Sequence, residues 1–132
     1  MDPSHKLLKL AKKFKDVIVT GYVEDIRDYI SIATVNVCPM ISGSGIKNKI
    51  LESMSMGIPS VITTIAGEGM PEIKDYENVL ISDDAQDFIQ KIVMLIKDKN
   101  LYNKIVINGR KLIEERYNWR SVTERFLDIF YK

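Results

Sequence analysis

One cysteine, one histidine and one tryptophan occur in 132 residues, and the first two scarcities each argue against a class of function. A lone Cys38 cannot form an intrachain disulfide, so nothing supports a disulfide-stapled secreted fold. It stands in an apolar, strand-like run, where a buried inert thiol is the expectation. His5 lies near the N-terminus with no acid or cysteine pattern around it, which argues against a zinc site and against a histidine-based triad. Charge of one sign is lacking too. Nineteen basic residues face 18 acidic ones, a formal net charge of +1, so bulk electrostatics give no signal for nucleic acid. The local basic run Lys6, Lys9, Lys12, Lys13 and Lys15 reads as the solvated face of a first helix. No apolar run reaches the ~20 residues of a membrane helix, and the N-terminus has no apolar signal-peptide core. The expected address is therefore the cytoplasm, and no transmembrane segment is expected. There is no internal repeat, low-complexity segment or linker. What remains, 45% hydrophobic and 28% charged, is an ordinary globular composition in a chain the size of one domain, residues 1–132.

Short β-branched runs alternate with longer helical patterns. Strands are expected over 17–20, 34–38, 60–64 and 78–81, and helices over 4–14, 25–32, 46–56, 85–97, 100–116 and 119–131. Pro71 suits a first helical position, so 71–76 is expected to form a short helix. Asp83 and Asp84 offer an N-cap to a helix whose apolar stripe is Phe88, Ile89, Ile92, Val93 and Ile96. Continuous apolar strands separated by helices point to a three-layer, Rossmann-like α/β fold: a parallel sheet of about four strands with helices on both faces.

The segment from Ile41 to Pro59 carries the most information. Gly43-Ser44-Gly45 lets an anion approach the backbone closely, because two of its residues have no β-carbon. A helix follows at once, and its first N–H groups have no partner within the helix. Those donors and the positive end of the dipole suit an anion. Glu52 lies about two turns on, on a face away from the stripe of Ile46, Ile50 and Met54, and Gly57 and Pro59 stop the helix. A strand–turn–helix corner that needs two glycines for packing is the plain alternative. In open parallel sheets ligands bind beyond the carboxyl ends of the strands. The loops 21–25, 40–45 and 65–72 all fall there and all contain glycine.

The runs Thr20-Gly21-Tyr22-Val23-Glu24-Asp25-Ile26, Pro39 to Met54 and Gly57 to Thr64, with Trp119 before the last helix, resemble the C-terminal half of GT-B-fold glycosyltransferases. The match is to the retaining family 4, glycosyl transferases group 1, and it extends over nearly the whole chain. The resemblance implies a partial GT-B C-terminal domain that binds a nucleoside-diphosphate sugar. The sugar would pass to a saccharide or lipid-linked acceptor, as in polysaccharide biosynthesis, with no cofactor and no metal. Glu52 matches the acid that grips the ribose hydroxyls, which suits a carboxylate that can accept from both hydroxyls of a cis-diol. An i,i+3 ion pair with Lys49 is the alternative for that residue. Gly43, Ser44, Gly45 and Ile46 match the loop whose backbone meets the sugar diphosphate. Tyr22 and Val23 match the segment against the base, although Tyr22 equally suits packing at a strand end. Gly67, Glu68, Gly69, Met70, Pro71 and Glu72 match a donor-side loop, where Glu72 equally suits a helix start.

Two departures qualify the match. The family's second acid, eight positions before the ribose acid, is here Ser44, as in branches with Gly/Ser-rich loops. The two upstream strands and an Arg…Lys pair that clamps the diphosphate have no counterpart, and Lys47 or Lys49 is the nearest point charge. Lys49 is counted here among the donor-site residues, and the catalytic residues stay unassigned. The domain is thus expected to be N-terminally incomplete and inactive in transfer by itself. The missing N-terminal half or a separate subunit would complete it, at the inner face of the membrane or in the cytoplasm. A non-catalytic partner subunit, or a nucleotide- or phosphate-binding regulatory module, is the alternative. Two structural consequences follow. The apolar last helix, with Val122, Phe126, Leu127, Ile129, Phe130 and Tyr131, should be exposed or covered by a second copy in a homodimer. The 17–20 strand, deprived of its neighbours, should shift to pair in parallel with 34–38.

Overall fold

The structure is a computed structural model that describes residues 3–130, without the side chain of Phe130. Its sheet has three strands, β1 (Asn36–Cys38), β2 (Ser60–Ile62) and β3 (Leu80–Ile81), in the order β1-β2-β3 and all parallel. Val37 stands opposite Val61, and Val61 opposite Leu80. Among the described residues there are seven helices: α1 (His5–Lys13), α2 (Arg27–Ser31), α3 (Asn48–Ser55), α4 (Thr64–Gly67), α5 (Ala85–Lys97), α6 (Lys99–Arg116) and α7 (Trp119–Phe130).

The period of two along each strand divides the core. Cys38 and Ile62 face Ile50 and Met54 of α3, Ala66 of α4, Met70 and Leu112. Val61 and Leu80 point the other way, onto Leu95 of α5 and Ile105 of α6. Helix α6 serves both faces, and its Gly109 leaves room for the Met54 side chain, 3.3 Å from where a β-carbon would sit. Helix starts follow the expected chemistry. The Asp84 carboxylate takes the N–H groups of Gln86 and Asp87, and that of Asp98 takes those of Asn100 and Leu101. The α/β class, the parallel sheet and the helices on both faces are therefore as expected.

The strand expected over 17–20 does not form, and neither does its parallel pairing with 34–38. Those residues carry no ladder, and Ile18 is 83% exposed. The run Val-Ile-Val-Thr has the propensity of a strand, but propensity supplies no hydrogen-bonding partner. A cavity of about 510 Å³ instead separates Ile18 from Val35 and Val37, with Ile30 and Ala33 on its wall. The helix expected over 71–76 is also absent, and α4 forms earlier. The Asp83 carboxylate draws it there by accepting from Thr64 N–H at 2.8 Å and Thr64 Oγ at 2.6 Å.

β1 thus has a free edge. Asn36 N–H bonds to Pro59 O and Thr63 N–H to Cys38 O, so residues 36 and 38 address β2, and Val37, between them, directs its backbone groups outward. Proline is tolerated on an edge strand where its missing N–H would face solvent. Val37→Pro is accordingly expected to change the melting temperature by only a few degrees, whereas Val61→Pro in the central strand should prevent folding. Thermal denaturation of the two variants checks this.

The last helix has the expected exposed face. Trp119 is 88% exposed, and Val122, Phe126, Leu127 and Ile129 are all exposed. Of the residues named for that face, the Phe130 side chain and Tyr131 lie outside the described residues.

Candidate functional site

At the carboxyl end of β1 the chain leaves as Pro39-Met40-Ile41-Ser42-Gly43-Ser44-Gly45 and re-enters as α3. Two backbone angles make glycine necessary: φ is +125° at Gly43 and +74° at Gly45. Thr63 Oγ, at the end of β2, donates to Met40 O at 2.7 Å and ties the two strand ends together. The segment after α4 closes over the loop. A β-carbon on Gly69 would stand 2.4 Å from Gly45 C, 2.5 Å from Gly45 O and 2.6 Å from Ile46 N. Bare backbone therefore packs on bare backbone, and the second and third of the glycine loops meet. Gly67 is buried, and a β-carbon there would press Ile62 and Ile73 at 3.3 Å, so its role in the fold is packing. Glu68 is exposed.

Helix α3 starts at Asn48 with no side-chain cap. This start shifts the buried stripe from the one expected. Ile46 precedes the helix and is 50% exposed, while Lys47 turns inward beside Ile50 and Met54 and is 9% exposed. Lys47 Nζ donates to Ser44 O at 2.5 Å and to Gly45 O at 2.8 Å. The loop thus folds around a lysine whose inward turn the 3.6-residue reading from Ile46 had missed. The signal was present as the spacing of Lys47, Ile50 and Met54.

Glu52 is half-buried. Its carboxylate makes no hydrogen bond and no ion pair among the described residues, and the ion pair with Lys49 does not form. The positive group near enough to feel Glu52 is Arg27. That guanidinium is already engaged by Asp25, at 2.7 Å in the shortest contact, and holds the Asp25 carboxyl down at about 2. Lys49, in the first turn of α3, is exposed. Cys38, beneath the loop, has its thiol pushed up by burial, against the pull of Lys49 and Lys47. It is not a nucleophile in waiting.

The segment 67–72 is fixed from behind. Tyr117 Oη donates to Glu72 Oε2 at 2.7 Å, and Asn78 Nδ2 donates to Glu72 O at 2.9 Å. The Tyr117 bond holds the Glu72 carboxyl below its usual range. Burial first, and then Glu72, pushes the Tyr117 hydroxyl up to about 12. Glu72 therefore anchors its loop to the end of α6 instead of starting a helix.

Tyr22 is 88% exposed and Val23 half-buried, and neither has a described contact with residues 43–46. Gly21, at φ +67°, turns the chain just before them. A cavity of about 370 Å³ opens at the strand ends between Pro39, Ile41, Thr63, Asp83, Phe88 and Ile89. The glycine loop lies outside it, on open surface. A cleft of about 470 Å³ around Glu72, Lys74, Asn108 and Lys111 lies behind the 67–72 segment. Among the described residues no cluster of three or more acid, histidine or cysteine side chains is placed to hold a metal. Also among them, no helix is long and apolar enough to cross a membrane.

A family model described as glycosyl transferases group 1 matches residues 2–98. An uncharacterized glycosyltransferase of Methanocaldococcus jannaschii is 26% identical over 131 residues, which is 95% of this chain and 33% of the relative. The chain thus spans about a third of the length of that curated relative. Among solved structures, the C-terminal domain of the glycosyl transferase group 1 family protein LpcC from Francisella tularensis matches with a TM-score of 0.70 and 28% identity, over 86% of this chain and 60% of that one. Anabaena HepE, crystallised with UDP-glucose, matches with a TM-score of 0.80 and 16% identity, over 96% of this chain and 36% of that one. A variant of TarM from S. aureus, crystallised with UDP among other ligands, matches at 0.77 and 21%, over 96% and 27%. At these identities the last two show likeness of fold.

Proposed function

Because this chain belongs to the glycosyl transferases group 1 family, we propose that it is the nucleotide-sugar-binding half of a retaining glycosyltransferase. The sugar passes to a saccharide or lipid-linked acceptor once a second polypeptide unit supplies the other half of the cleft. One observation carries the reading. Two glycine segments meet backbone to backbone beside an uncapped helix start, and one turn further along that helix a half-buried carboxylate has no hydrogen bond or ion pair among the described residues.

Each part suits a donor. The loop 43–46 and the first N–H groups of α3 receive the diphosphate, and the helix dipole stabilises its charge as the sugar leaves. Glu52 accepts the ribose hydroxyls, and Glu68 and Gly69 border the sugar, with buried Gly67 packing beneath them. Tyr22 and Val23 take the base edge, in a segment that the bound nucleotide draws in. Lys49 supports the diphosphate from the rim. The donor itself is the reading's only small-molecule ligand. The other half of the cleft comes, in this reading, from the N-terminal half of such an enzyme or from a separate subunit. The exposed apolar face of α7 is where that partner, or a second copy of this chain, would dock.

The test is a chemical-shift titration with UDP, GDP and ADP. Glu52→Ala is expected to weaken the best of them by ~1.5–3 kcal/mol, the range for hydrogen bonds to a charged group. Its melting temperature should be unchanged, since among the described residues the carboxylate has no hydrogen bond or ion pair to lose. Equal affinities in variant and parent would remove the ribose role. A regulatory phosphate-binding module would instead bind inorganic phosphate as well as it binds a nucleotide.

A further inference from the structure

Among the described residues the fold buries two lysines, Lys47 and Lys91, and treats them in opposite ways. Lys91 Nζ has two carboxylates, Asp75 at 3.3 Å and Asp87 at 3.5 Å, and the ring of Tyr76 with its centroid at 5.0 Å. Lys47 Nζ has only the neutral carbonyls of Ser44 and Gly45. Among the described residues no carboxylate lies within 4.0 Å of it. Lysine is seldom buried without an acid, because removing its charge from water is costly unless another charge answers it. An ammonium also carries three N–H donors, and the two carbonyls account for two. The unanswered charge stands at the glycine loop: the β-carbon position of Gly43 is 3.8 Å from Nζ. Gly43 and Gly45 are themselves exposed, and nothing lies within 4 Å of the corresponding position at Gly45.

We infer that Lys47 is the cation that receives the diphosphate of the nucleotide donor, so that the ligand supplies the negative charge the protein withholds. This rests on the donor-site reading above and assigns its leaving-group charge to one residue. Lys49 competes for the role by position, but its side chain is exposed and must lose rotamer freedom to engage a ligand. Lys47 is already held by two hydrogen bonds, and a group fixed in advance needs no reorganisation when charge develops on the leaving phosphate.

The experiment measures binding of UDP, GDP, ADP and inorganic pyrophosphate, and of the nucleoside corresponding to the tightest nucleotide. The parent is compared with Lys47→Gln, Lys47→Met and Lys49→Gln. Both Lys47 variants should lose about 10- to 100-fold in affinity for the diphosphate and for pyrophosphate, with nucleoside affinity unchanged. Lys49→Gln should lose clearly less than either Lys47 variant, as expected of an exposed charge at the rim. The methionine variant fills the same space without the amide, so a folding defect peculiar to one variant does not decide the outcome. Parallel losses for nucleoside and diphosphate would mean that Lys47 only shapes the loop, and would overturn the inference. An unchanged affinity, or a full loss in Lys49→Gln instead, would overturn it too. A parent that binds none of the four probes would defeat the donor-site reading itself.

Discussion

Gly69→Ala is expected to destabilise the domain by about 3 kcal/mol or more and to weaken nucleoside-diphosphate binding at least tenfold. The added methyl would lie 2.4–2.6 Å from three backbone atoms of Gly45 and Ile46, closer than any relaxed contact. Side chains can swing aside, but a loop pinned by Lys47 Nζ on its own carbonyls cannot. The opposing segment is held as well, through Glu72 to Tyr117 and Asn78. Overpacking of this kind costs ~1–3 kcal/mol when the neighbours can shift, and more when they cannot. Gly45→Ala is the comparison. Nothing lies within 4 Å of its β-carbon position, but φ is +74°, so its cost is the ~1–2 kcal/mol of a left-handed non-glycine residue. Urea denaturation and calorimetric titration of both variants decide the matter. If Gly69→Ala proves as stable as the parent and binds as well, the two loops are not one unit.

That contact could not be read from the chain. The sequence shows glycines at 43, 45, 67 and 69 but not which of them touch. Positive φ explains 43 and 45, burial explains 67, and only the approach of a distant segment explains 69. The layered fold was legible, because Val61 and Ile62 alternate between two faces and the β-branched runs mark where strands lie. The strand expected over 17–20 failed because a sheet is a property of pairs, and the free edge of β1 stands across a cavity from Ile18. The helix expected at Pro71 gave way to one at Thr64, since Asp83, 19 residues downstream, supplies the hydrogen bonds that start it. Glu52 is half-buried without a hydrogen bond or ion pair among the described residues, and the alternative ion pair with Lys49 does not form. Lys47 was passed over as a buried position because a lysine on an apolar stripe reads as the end of the stripe. Tyr117, which holds Glu72 from 45 residues away, gave no local signal at all.

Lys91→Met is expected to cost about 2–3 kcal/mol in urea denaturation at pH 7, and the same substitution at higher pH should cost less. Lys91 Nζ donates to Ile81 O at the end of β3 and to Asp75 Oδ2. Asp75 Oδ1 in turn accepts from the N–H groups of Tyr76 and Ile81. Tyr76 has φ +58°, an uncommon angle for a non-glycine residue, and this network is what holds it there. Two effects compete in the substitution. Replacing a buried charge by an apolar side chain of similar length avoids a desolvation penalty and is sometimes neutral. Here, however, it strips the Ile81 carbonyl and Asp75 of their shared donor, and unsatisfied groups cost ~1–3 kcal/mol each when buried. The Asp75 side chain is 38% exposed and can turn to water, whereas Ile81 O, at the half-buried end of β3, loses the donor of a side chain only 8% exposed. The loss should therefore prevail. Burial pulls the Lys91 ammonium down, but its bond to Asp75 and the charges of Asp75, Asp87 and Tyr76 outweigh that pull and raise it above the ordinary 10.5. A raised folded value means that the stabilisation is complete below the unfolded lysine value and is lost as pH climbs through the folded one. The difference between Lys91→Met and the parent should accordingly be flat from pH 6 to 9 and shrink above about pH 10.5. In an Asp75→Asn background the cost of Lys91→Met should fall by ~1 kcal/mol or more, the coupling expected of two groups in one network. Additive losses in that double-mutant cycle would show that Lys91 acts through Ile81 O alone.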